Sequence, residues 1–85
     1  MATLINIEGH EVPHTGMDLA SLQKAVGGYI QIIPTKDGRS MVINEEGKLN
    51  DLPFNEKATN MAHLFTGDYV VGNVVVCDSN ELDEQ

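Results

Sequence analysis

Eighty-five residues make room for one domain and exclude a second. Thirteen acids against five bases leave a formal charge of −8, a field that repels phosphate backbones and argues against direct DNA or RNA binding. Cys77 is the only cysteine, which excludes an internal disulfide, and the longest apolar run, Val74–Cys77, is far too short for a membrane span.

Residues 1–12 carry charge and Gly9, unlike a signal or transit segment, so a soluble protein of a reducing cytoplasm is expected. Thr3–Ile7 is aliphatic and β-branched and predicts a first strand. His10–Gly16 holds Pro13 and predicts a loop. Met17–Val26 predicts a helix capped by Asp18, with Met17 and Leu22 placed as a hydrophobic staple. Leu19, Leu22 and Val26 form its apolar stripe, and Gly27 supplies the left-handed residue that ends it.

Tyr29–Ile33 predicts a second strand, stopped by Pro34, and Ser40–Asn44 a third. Asp37-Gly38 between them suits a two-residue turn with positive φ at both positions. Asn44–Gly47 suits a turn ending in a glycine bulge, with Lys48-Leu49 pairing briefly back on the third strand. Asn55 caps a second helix, in which Ala58, Met61, Ala62 and Phe65 fall at i, i+3, i+4 and i+7, and Gly67 ends it. Tyr69–Cys77 is nearly all apolar and predicts a central strand, bent at Gly72-Asn73.

These elements add up to a single α+β domain over residues 1–77. It is a largely antiparallel sheet of four to five strands with two helices packed on one face. Residues 78–85 are expected to be a frayed acidic tail, because no apolar periodicity survives there.

The sequence resembles a family of small uncharacterised domains encoded largely by bacteriophages and bacterial mobile elements. The resemblance rests on Leu22-Gln23, Val26–Ile30, Asn44–Leu49, Leu52-Pro53 with Asn55 and Ala58-Thr59, and Val71–Val76. It covers roughly Leu19–Val76. It implies a phage or prophage accessory protein in a bacterial cytoplasm and brings no catalytic residue with it.

No polar cluster has spacing that chemistry requires, so no catalytic residue, metal site or cofactor is expected. His10 and His14 have the i, i+4 spacing of helical metal ligands, but Pro13 between them argues against a helix. Cys77 ends an apolar strand and reads as a small buried hydrophobe. Ser21, Ser40 and Thr59 stand in no strained elbow. Glu45, Glu46, Asp51 and Glu56 read as solvated turn carboxylates. Gly27-Gly28 ends a helix, where the dipole has the wrong sign for a phosphate.

Binding remains. A sequestering protein that occupies a host protein or a small signalling ligand is the expected function, with an anti-defence role in view. For a nucleotide-like ligand, Tyr29 and Tyr69 offer stacking surfaces and Lys36, Arg39 and Lys48 offer cations. For a basic host protein, Asp37, Glu45 and Glu46 offer an acidic docking surface at the Lys36–Glu46 tip, in the manner of a nucleic-acid mimic. A homo-oligomerising module is a third reading, since a core this small gains from a partner.

Overall fold

The computed structural model describes residues 2–82. Among them, five strands form one antiparallel sheet: β1 (Ala2–Ile5), β2 (Glu11–His14), β3 (Ile30–Pro34), β4 (Ser40–Asn44) and β5 (Val74–Cys77). Two helices contact it, α1 (Leu19–Val26) and α2 (Glu56–Met61). The sheet order is β2-β1-β5-β4-β3, so the last strand inserts between two hairpins and is central, as its unbroken apolar run predicts.

The two helices lie on opposite faces, not on one. Val74 and Val76 pack with Ile5, Met41 and Ala58 of α2. Val75 and Cys77 pack with Ala2, Val42 and with Leu22 and Val26 of α1. Successive strand residues point to opposite faces, so four consecutive buried apolar residues need a cover on each side.

Further corrections are local. β1 ends at Ile5 and β3 starts at Ile30, each displaced from its expected bounds. The segment predicted as a loop contains β2, an edge strand mostly exposed to solvent, which has no apolar pattern to give it away. Its turn is fixed by Asn6, whose side-chain oxygen accepts from the N–H groups of Glu8 and His10 at 3.0 and 2.9 Å. Between β3 and β4 only Gly38 has positive φ; the Gly38 N–H donates to the Thr35 carbonyl, so Lys36-Asp37 form the turn and Gly38 the bulge.

Lys48-Leu49 do not pair on β4. The 44–52 segment coils on itself instead, through Gly47 N–H to Asn44 O, Asn50 N–H to Glu46 O and Leu52 N–H to Gly47 O. The bulge expected at Gly47 is absent among the described residues, since its φ is not positive.

The caps follow the sequence. The Asp18 carboxylate accepts from Ser21 N–H at 3.2 Å, and Gly27 at φ +86° donates back to the Gln23 carbonyl. Asn55 accepts from Ala58 N–H at 3.0 Å. However, α2 stops at Met61, and Phe65 lies outside it. Lys36 N–H donates to Met61 O and His63 N–H to Pro34 O, both at 2.9 Å, so residues 61–63 run beside the end of β3. The final strand is also shorter than expected, with Tyr69–Asn73 preceding it as irregular chain. Ser79–Leu82 forms one 3-10 turn with Leu82 against the α1-side core. The rest of the expected acidic tail, with Asp83 and Glu84, lies outside the described residues.

Candidate functional site

The α2-side face of the sheet is incompletely covered at its β3–β4 end, because α2 is only six residues long. There a groove of about 260 Å³ opens, lined by Ile33 and Ile43 together with Lys48, Leu49, Leu64 and Tyr69. It continues along Gln31 and Ile33 into a second hollow of about 370 Å³ beside Pro34, His63 and Phe65. Phe65 is 90% exposed and Leu49 82% exposed.

The wall that carries Tyr69 is held from beneath. Val70 N–H donates to the Thr59 hydroxyl at 2.8 Å, and Asn55 N–H donates to Val70 O at 2.9 Å. Tyr69 meets Phe54 edge-on, with ring centroids 6.2 Å apart, and Lys48 Nζ lies 4.3 Å from the Tyr69 centroid. Lys48 also pairs with Asp68. That hydrogen bond, with a second from Tyr69 N–H, holds the Asp68 carboxyl below the usual range.

Of the eight residues singled out by sequence, only Lys48, Tyr69 and Glu45 share this groove. Tyr29 is exposed over a separate shallow hollow with Gly28, Glu46 and Asn50. Lys36 is exposed in the β3–β4 turn. Arg39 is turned onto Asp37, its Nη2 at 2.9 Å and its Nε at 3.0 Å from the carboxylate. Asp37 is therefore engaged; Arg39 first and the Thr35 hydroxyl second lower its carboxyl to about 2. The five ligand candidates do not converge.

His10 precedes β2 and His14 ends it, and four residues of extended strand span about 13 Å. His14 Nε2 lies 2.7 Å from the Gly16 carbonyl. Among the described residues no three His, Cys, Asp or Glu side chains gather to hold a metal. Cys77 is fully buried, and burial foremost, then Glu81 and Asp78, push its thiol pKa up.

Sequence reasoning missed Leu49, Phe54, Phe65 and Asp68. Leu49 carried a signal, an isolated large aliphatic in a polar turn, but Phe65 was hidden inside an apparent helical stripe.

A family model described as a domain of unknown function (DUF3846) matches residues 2–85. The chain belongs to that family. No curated protein and no solved structure matches it. The DUF3846 match bears out the resemblance as one to a family of domains of unknown function. Among the described residues of this DUF3846 domain, no helix is long and apolar enough to cross a membrane.

Proposed function

We propose that this DUF3846 domain is a non-enzymatic accessory binding protein of phage or mobile-element origin that captures another protein in a bacterial cytoplasm. The observation that carries the reading is a run of exposed apolar side chains: Leu49 and Tyr69 line the groove, Phe54 lies edge-on to Tyr69, and Phe65 lines the adjoining hollow. Contiguous exposed apolar side chains are costly in water, and aromatic anchors rimmed by polar groups characterise protein interfaces. Capture of a small nucleotide has weaker support. The one cation in the groove, Lys48, is already engaged by Asp68, and Glu45 beside it repels phosphate.

The test is site-specific photo-crosslinking in a bacterial host. A benzophenone amino acid in place of Phe65 or Leu49 should give discrete protein adducts, and one in place of Leu19, exposed on α1, should not. Adducts equal at all three positions, or absent at Phe65 and Leu49, would reject the reading.

A further inference from the structure

We propose that the outer edge of β3 takes up an extended cationic segment of another protein as a sixth strand, with one of its side chains seated in the groove. This deepens the capture reading above and rests on it. The hydrogen-bond phase of the β3–β4 hairpin decides which backbone groups are available. Glu45 N–H donates to Tyr29 O, and Thr35 N–H donates to Arg39 O. With the register Ile30↔Asn44 and Ile32↔Val42, odd-numbered residues of β3 bond inward to β4. Ile30 and Ile32 therefore turn their N–H and C=O groups outward, at the end of the sheet.

The neighbouring part of this edge is already closed by the chain itself. Pro34 O and Lys36 N–H are taken by residues 61–63. An added strand would continue that pairing along Ile30–Ile32.

The two edges of the sheet are treated differently. At β2, the Asn6 N–H to His10 O bond sets a phase in which Glu11 and Pro13 face outward. Pro13 offers no N–H, and Glu11 is ion-paired to Lys57. Proline and charge are common guards against strand addition. On β3 the outward proline, Pro34, lies at the end already closed by His63, while Ile30-Gln31-Ile32-Ile33 carries neither guard and Ile32 is 46% exposed.

The groove supplies the side-chain pocket. Gln31 and Ile33 share the α2-side face, so alternate residues of an added strand point over the hollow between Ile33, Pro34, Leu64 and Phe65. Charge decides the occupant. Glu45 and Asp68 line the groove against a single base, Lys48, which pairs with Asp68, so the lining stays net acidic; the net charge of −8 would set a second copy of this chain against itself. A segment alternating apolar with basic residues satisfies both the pocket and the field.

The probe is an array of octapeptides alternating Lys or Arg with Val, Ile, Leu or Phe, read by fluorescence anisotropy on the intact protein. Members of the array should bind, and their Glu-for-Lys counterparts should not. N-methylation of the binding peptide along one backbone edge should weaken it about tenfold or more, as loss of backbone hydrogen bonds requires, while methylation along the other edge should not. That comparison leaves the protein unaltered. Ile32→Pro, which removes an N–H that β4 does not use, should weaken binding likewise with an unchanged circular dichroism spectrum. Equal binding of both methylated forms, or no binding by any member, would overturn strand addition. If the Phe65 crosslinks persist in that case, groove capture stands without it; if they too are missing, both fall. Self-association in the ultracentrifuge that Ile32→Pro abolishes would assign the edge to a second copy and overturn the proposal.

Discussion

Replacing Asn55 by Ala should cost this domain about 3 kcal/mol, near 1 for each of three buried hydrogen bonds. Asn55 is fully buried, and its side chain joins three parts of the chain. Its oxygen accepts from Ala58 N–H at 3.0 Å, capping α2, while its nitrogen donates to Ile5 O at 3.2 Å and Gly72 O at 2.8 Å. Alanine leaves all three without these partners. For 85 residues, total stability is expected at about 4–13 kcal/mol, so the loss is a large share. It corresponds to a fall in Tm of roughly 12–24 °C. Asn55→Ser restores only the cap and should fall between. Asn55→Asp keeps the cap but turns a second carboxylate oxygen toward two carbonyls, raising its folded pKa above the unfolded value of about 3.9. Stability contributed by the protonated form is then full below that value and lost as pH rises through the folded pKa. Urea unfolding of the variants at pH 4 and pH 7 is the assay. A loss below about 1 kcal/mol for Asn55→Ala, or an Asn55→Asp variant equal to the parent at pH 7, would refute the bonding described.

Asp37 should titrate at about 2 by carbon-detected NMR, because Arg39 and then Thr35 hydrogen-bond its carboxylate. Its folded pKa is depressed, so its contribution is present above the unfolded value of about 3.9 and lost as pH falls through about 2. Arg39→Gln should move the midpoint up toward the ordinary range; an unmoved midpoint contradicts the ion pair. Cys77 should resist a disulfide reagent in the native state and react fully in denaturant, since burial both hides the thiol and raises its pKa. Rapid native labelling would contradict its place in the α1-side core. Gly72→Ala should destabilise more than Gly38→Ala in urea titrations. Both have φ near +80°, but a Cβ at Gly72 would meet Leu52 Cδ1 at 2.8 Å while Gly38 faces open space. The strain common to both is about 1 kcal/mol, and equal losses would show that Leu52 yields without cost.

Local signals carried much of this fold into the sequence. Asp18, Gly27 and Asn55 marked helix ends because caps are short-range chemistry, and each does so in the structure. The run Val74–Cys77 marked a central strand because only a covered strand tolerates no polar residue. The same run also implied a cover on both faces, a consequence of strand alternation that a one-face arrangement of helices ignores. β2 was illegible for the opposite reason: an exposed edge strand with Pro13 has no periodicity to read, and its pairing depends on the Asn6 turn. The groove was less legible still. Lys48 and Tyr69 lie 21 positions apart on irregular segments, and their meeting depends on where α2 ends.

That helix end links the fold to the candidate site. Ala58, Met61, Ala62 and Phe65 are spaced so that a continued α2 would place all four on the buried stripe. The chain instead leaves the helix after Met61, and the 61–63 backbone closes against Pro34 and Lys36. Continuing the helix would bury Phe65 for roughly 1.5–3 kcal/mol of apolar transfer, yet Phe65 stays 90% exposed. The backbone bonds made at Pro34 and Lys36 stand in place of those a further helical turn would make for Met61 and His63. The outcome adopted leaves Ile33 and Ile43 only partly covered beneath an open groove. A local preference overridden at this one place, with an aromatic side chain left in water as the result, is the pattern expected where a surface is kept for something other than stability.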